Sequence, residues 1–278
     1  MISDKKYTHL DTWALSIIAD PVLKKPIPID KIKITNGIYD ARVYLRNTYG
    51  FNSWLHGQHE YEKWYLNGDG YKNNGASYKE EIAYDREVYE HFVIEGDVLD
   101  VGGGAGTLRE FLSKNVRYIS LDPFLNVFKS IPLAKMEAYT CLNKKINFIC
   151  GVAEFLPFKE NSFNWIHMRS MLDHVQLPDL ALIEARRVLK KNGKILIGLY
   201  VEGGKTGRKN TSRLIKDLIK ETLSFFGFTR WKDHHTWHPS FNNLNKMVTD
   251  NGFIIDDVFW QPHWNDQVVY IKATKSTK

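Results

Sequence analysis

Four groups of residues in this chain have types and spacings that could do chemistry. The first is Asp100-Val101-Gly102-Gly103-Gly104-Ala105-Gly106-Thr107. Val98, Leu99 and Val101 around its start have the length and type of a buried parallel strand. Leu108-Arg109-Glu110-Phe111-Leu112 then resumes at helical spacing. The pattern predicts strand, tight glycine turn, helix. Glycine permits positive φ and lets a ligand approach the backbone, and the helix would aim its free N–H groups at the same place. Such a turn serves either a bound nucleoside or only close helix–strand packing. It is not the G-x-G-x-x-G order of a dinucleotide site, because Thr107 stands where the third glycine belongs.

The second group is Asp122-Pro123, at the end of the strand Tyr118–Leu121 and about 20 residues beyond Gly102. A carboxylate there can accept hydrogen bonds from both ribose hydroxyls of a nucleoside; the other reading is a turn-capping Asp. The third is Arg169-Ser170-Met171-Leu172-Asp173-His174, after the strand Asn164–Met168. His174 titrates near neutrality and is the natural general base, ahead of Asp173; the other reading is a structural histidine that caps the next segment. The fourth is His234-His235-Thr236-Trp237-His238. Imidazoles bind metals, but apart from the adjoining Asp233 no acidic or cysteine partner has the spacing of a known site. No metal is therefore expected, and a substrate-facing loop is the preferred reading. The basic run Lys205, Arg208, Lys209, Arg213 and Lys216 reads as a solvated helix face.

The elements that must hold these groups alternate. Strands are expected at 98–101, 118–121, 146–149, 164–168, 195–199, 254–260 and 267–273, and helices at 107–114, 126–140, 178–190, 211–226 and 241–251. That alternation predicts a mostly parallel sheet with helices on both faces. The short link between the last two strands makes them an antiparallel hairpin.

Gly151-Val152-Ala153-Glu154-Phe155-Leu156-Pro157-Phe158 and its continuation to Asn164 closely resemble the segment around the adenine in class I S-adenosylmethionine-dependent methyltransferases of the ubiquinone/menaquinone type (methyltransferase type 11 domain). Asp100-x-Gly102-x-Gly104-x-Gly106 resembles their first motif, and Glu184 to Lys194 match their helix and turn into the fifth strand. The resemblance implies an α/β fold: a Rossmann-like, doubly wound, seven-stranded, mostly parallel sheet with an antiparallel last strand, plus an N-terminal extension. It implies S-adenosylmethionine as cofactor, held by Asp100, Gly102, Gly103, Gly104, Gly106, Asp122, Pro123, Val152, Ala153, Glu154, Arg169 and Ser170, with His174 beside the methyl donor as the candidate catalytic residue. The family usually carries Asp where this chain has Val152 and Asn164, so adenine would lean on backbone groups near Ala153 and Glu154. The expected reaction is in-line methyl transfer, in which the protein contributes positioning and desolvation. The alternative is a non-catalytic adenosine-nucleoside-binding protein of the same fold. No Asn-Pro-Pro-Tyr-type motif follows the fourth strand, so a small-molecule acceptor is expected rather than nucleic acid.

The chain has 278 residues, 43% hydrophobic, and a net charge of +6 spread along its length, which does not argue for a nucleic-acid partner. Two cysteines, Cys141 and Cys150, give no disulfide framework. The N-terminus lacks the apolar core of a signal peptide and no apolar run nears the roughly 18 residues of a membrane span, so a cytoplasmic protein is expected. The expected organisation is a small N-terminal appendage (1–50), an aromatic-rich helical segment (51–95) and the methyltransferase domain (96–278) with an insertion at 203–240. In the appendage, Ile32, Ile34 and Ile38 suggest strands around an Asn36-Gly37 turn. Residues 18–26 and 36–38 are similar to the small zinc-ribbon-like segment fused to some methyltransferases, without its cysteines. Phe51, Trp54, Tyr61, Trp64, Tyr65 and Tyr71, with glycines between, form either a lid over a ligand or ordinary packing on the core.

Overall fold

The structure is a computed structural model that describes residues 6–66, 78–129, 131–208 and 235–276. In chain order, β1 (Thr8–His9) and α1 (Thr12–Ser16) come first, α1 being capped by the Asp11 carboxylate, which accepts from the Ala14 N–H at 2.8 Å. β2 (Ile34–Thr35) and β3 (Ile38–Asp40) pair as a hairpin. Its turn residues Asn36 and Gly37 have φ of 54° and 81°, the two left-handed residues that such a two-residue turn requires. Helices α2 (Phe51–Leu66) and α3 (Tyr78–His91) follow.

The alternating part consists of β4 (Asp97–Val101), β5 (Arg117–Asp122), α4 (Leu133–Ala138), β6 (Ile146–Cys150), β7 (Phe163–Arg169), α5 (Pro178–Val188), β8 (Leu189–Tyr200), α6 (Phe241–Asp250), β9 (Phe253–Gln261) and β10 (Val268–Lys275). These strands lie in the order β6-β5-β4-β7-β8-β10-β9. Every pairing from β6 to β8 is parallel, whereas β10 runs antiparallel to both β8 and β9. The expected seven-stranded sheet is present with its antiparallel strand. β1 and β3 both pair in parallel with β6, so the N-terminal segment lengthens the sheet beyond it.

Alternation of side chains along the central strands divides the interior into two layers. Leu99, Val101, Ile166, Met168, Ile195 and Ile197 pack with Ala181, Leu182, Ala185 and Val188 of α5. Val98, Phe148, Trp165, Leu196 and Tyr270 pack with Val88, Tyr89 and Phe92 of α3. β4 is buried along its whole length, as a strand covered on both faces must be. Each such aliphatic side chain contributes about 1.5–3 kcal/mol.

Helix extents differ from the sequence expectation in two connections. Residues 107–114 form only the 3-10 turn Thr107–Glu110, because Gly106 enters it in the left-handed region (φ 80°) and the chain must return at once to β5. No α-helix dipole therefore points at the glycine turn. Of 126–140, only Leu133–Ala138 is α-helical, beginning after Pro132. The helix expected at 211–226 lies outside the described residues. Among the described residues no helix is long and apolar enough to cross a membrane.

Candidate active site

A cavity of about 260 Å³ opens at the carboxyl ends of the parallel strands. Gly102 follows β4, Asp122 ends β5, Gly151 follows β6 and Ser170 follows β7, and all four line it. The strand order turns in opposite directions from β4, toward β5 and toward β7, and α/β sheets bind ligands at such a switch point.

The motif glycines divide by task. Gly102 (φ 72°) donates its N–H to Leu121 O at 2.8 Å and faces the cavity; a Cβ on it would meet the Met171 Cβ at 2.8 Å. Gly104 (φ 51°) donates to Asp122 Oδ2 at 3.1 Å, and the space over its Cα is open, with nothing nearer to a Cβ than that oxygen at 4.0 Å. Gly103 and Gly106 serve packing: a Cβ on Gly103 would meet Asp100 Oδ2 and Ser120 Oγ at 2.6 Å, and one on Gly106 would meet Ile146 Cδ1 at 2.3 Å.

Asp122 caps its turn and also lines the cavity. Oδ1 accepts from the Phe124 N–H at 2.9 Å, which caps the turn, and Oδ2 accepts from Gly104, while the residue lines the cavity. Burial pushes its carboxyl up to about 7, repulsion from Asp100 and Glu62 adds to this, and the two N–H bonds pull the other way. Val101, Leu121 and Val152 give the cavity apolar walls, and Pro123 and Ala153 complete that side. Val152 offers no side-chain acceptor. Glu154 lines the wall, but its Oε1 accepts from the N–H groups of Gln176 (2.7 Å) and Leu177 (3.3 Å), so its carboxylate organises the entry to α5.

Five residues of the expected cofactor set do not line the cavity: Gly103, Gly104 and Gly106 of the turn, and Asp100 and Arg169. Asp100 turns into the core, where the Tyr118 hydroxyl donates to it and His167 Nδ1 lies 2.7 Å from Oδ1. Its position in β4 gives it an inward side chain beneath the glycine turn. Arg169 points at α3 and pairs with the buried Asp85, one register position away from the loop that Ser170 begins. Asn164 lies at the opposite end of β7, where its Oδ1 accepts from the Asp97 N–H and Lys190 Nζ, both at 3.0 Å.

Three residues of α2 complete the cavity: Trp54 and Tyr61, from the aromatic stretch read as a lid or as core packing, and Gln58, which the sequence did not single out. Trp54 Nε1 donates to His174 O at 2.8 Å and Gln58 Nε2 to the same oxygen at 3.3 Å. The Tyr61 ring stands edge-on to the His174 ring, with centroids 5.0 Å apart. Their spacing at 54, 58 and 61 is one helical face and was the available signal. Asn126 Nδ2 donates to Glu62 at 2.8 Å, tying α2 to the chain after β5. From the far side, Thr236 donates its N–H to Asp173 O at 2.7 Å and its hydroxyl to Val175 O at 2.7 Å. This brings His235 against His174, ring centroids 4.3 Å apart. Asp233, His234, Tyr71, Lys209, Arg213 and Lys216 lie outside the described residues.

Strand order, glycine turn and terminal carboxylate together define a Rossmann-like α/β fold with a cavity at its switch point. Residues 99–197 match the methyltransferase domain family. An uncharacterized protein of Methanocaldococcus jannaschii is 26% identical over 70% of this chain and 89% of its own length. The ubiquinone/menaquinone biosynthesis C-methyltransferase of Francisella tularensis is 28% identical over 61% of this chain and 70% of its own. Three further curated relatives, 33–35% identical, are matched over only 37–48% of their length. The crystal structure of Burkholderia thailandensis 1,6-didemethyltoxoflavin-N1-methyltransferase, with 1,6-didemethyltoxoflavin and S-adenosylhomocysteine bound, shares the fold: TM-score 0.56, 14% identity, 85% of this chain and 94% of that one. Over residues 99–197 the chain therefore carries a methyltransferase domain of the class I, S-adenosylmethionine-dependent kind.

Proposed function

We propose that this protein binds S-adenosylmethionine in the cavity at the ends of β4 to β7 and methylates a small molecule admitted beneath α2. The observation that carries the reading is Asp122. Its carboxylate is fixed by the Gly104 and Phe124 N–H groups at the end of β5 and keeps lone pairs free for a ribose diol.

The donor supplies an activated methyl group on a sulfonium sulfur. The protein's own residues then have three tasks. Asp122 fixes the ribose, and the open backbone at Gly104 leaves room beside it. Val101, Leu121 and Val152 bury a flat ring, whose polar edge falls to backbone groups near Ala153 and Glu154. Ser170, Met171 and His174 form the opposite wall, and Trp54 and Tyr61 cover it, which excludes water from the reacting atoms.

Incubation with methyl-labelled S-adenosylmethionine and separated cell fractions tests this. Label is expected in the small-molecule fraction and should fall sharply in Asp122→Ala. Label in the RNA or protein fraction instead would overturn the acceptor class.

A further inference from the structure

We propose that Asp173, His174 and His235 form a binding site for one divalent transition-metal ion at the rim of the cavity. The three residues bring one ligand atom each to within 4.8 Å of the others. Asp173 Oδ1 lies 3.8 Å from His174 Nε2, and Asp173 Oδ2 lies 3.5 Å from His235 Nε2. Both separations exceed a hydrogen bond. They are close to what two donors show across a shared ion, since bonds of about 2.0–2.2 Å place tetrahedral ligands roughly 3.3–3.5 Å apart.

A second, independent observation is the state of the carboxylate. Asp173 is only 7% exposed, and its Oδ1 has no hydrogen-bond partner among the described residues. A buried carboxylate oxygen without a donor is unfavourable, and a cation between the carboxylate and the two imidazoles removes that penalty. The main chain holds the donors in place. Thr236 bonds the Asp173 carbonyl with both its N–H and its hydroxyl, and Trp54 and Gln58 bond the His174 carbonyl. Such outer contacts are what set ligand direction in metal sites.

Two imidazoles and one carboxylate suit zinc, iron(II), cobalt or manganese, with positions left open for an outside ligand. His238 stands next to the site, its ring centroid 5.3 Å from that of His235. Because His174 lines the cavity, the open positions would take an oxygen or nitrogen atom of the acceptor. That role rests on the methyltransferase reading, whereas the ion site itself does not. No partner with metal-site spacing stands beside the histidines in sequence; the carboxylate comes instead from the loop after β7.

Tag-free protein is stripped with EDTA and titrated with cobalt(II), followed by visible absorption. The expected result is one equivalent bound with the intense d–d bands of a low-coordinate site, and at least ten-fold weaker binding in Asp173→Asn and His235→Ala. Calorimetric binding of S-adenosylhomocysteine to the metal-free protein and both variants shows separately that the fold and the cofactor cavity are intact. Absence of those bands in protein that still binds the nucleoside, or cobalt binding that survives both substitutions, would overturn the site.

Discussion

The indole N–H of Trp54 donates a 2.8 Å hydrogen bond to the carbonyl oxygen of His174, 120 residues further along the chain. Through this bond α2 fixes the loop after β7, and the loop carries both a cavity wall and two of the three proposed ion ligands. Trp54 is 8% exposed, so its donor has no water to turn to. Trp54→Phe keeps much of the apolar area and deletes the donor. The expected loss is about 0.5–1.5 kcal/mol, the net worth of one hydrogen bond, because Gln58 Nε2 still donates to the same carbonyl, read as a fall of a few degrees in the thermal midpoint.

The motif glycines should separate by phenotype. Gly106→Ala drives a Cβ to 2.3 Å from Ile146 Cδ1 at φ 80° and should destabilise the fold by about 2 kcal/mol or more. Gly104→Ala enters open space, so it carries only backbone strain of about 1–2 kcal/mol. Its methyl group would stand beside Asp122 in the proposed ribose position. Denaturant titration with and without S-adenosylhomocysteine should find Gly106→Ala worse in stability and Gly104→Ala worse in binding.

Asp122 sets a pH dependence with a definite sign. Its carboxyl is pushed up to about 7 by burial, with Asp100 and Glu62 adding repulsion, against an ordinary value of 3.8. The neutral acid is therefore favoured in the fold. This group's contribution to stability is fully present below about pH 4, falls as pH rises to about 7, and is flat above. Ligand binding runs the other way, because only the ionised carboxylate accepts from both ribose hydroxyls. Affinity for S-adenosylhomocysteine should rise through pH 7 and level off, approaching a ten-fold change per pH unit well below it. Asp122→Asn should remove that dependence.

Most of the sheet was legible because its strands are short apolar runs closed by Gly102, Asp122, Gly151 and Ser170, and local composition carries that information. Seven of the twelve residues expected to hold the cofactor line the cavity, because each stands at or just after the end of a strand. Asp100 and Arg169 misled because both are polar residues inside strands, and their direction depends on Tyr118, His167 and Asp85, which reach them from other elements. The short turn after Gly106 was hidden because Leu108, Phe111 and Leu112 keep helical spacing even when the connection has no room for a helix. The meeting of Asp173 with His235 depends on Thr236 bridging two distant loops, which no spacing rule reports.

Val152 offers a gain-of-binding test. It is 6% exposed on the cavity wall, where the resemblance leads one to expect an acidic residue. Val152→Asp supplies the missing acceptor for an adenine amino group. A charged hydrogen bond of about 1.5–3 kcal/mol, offset by burial of the carboxylate, should tighten S-adenosylhomocysteine several-fold. Calorimetry on the two proteins checks it.

Titration calorimetry of S-adenosylhomocysteine into the wild-type protein and Asp122→Ala tests the cofactor cavity most directly. Micromolar binding, weakened ten-fold or more by the substitution (about 1.4 kcal/mol) with folding retained, is the predicted result. Equal affinity in the two proteins, or no binding to the wild type above pH 7, would contradict the assignment of Asp122 and of the cavity it lines.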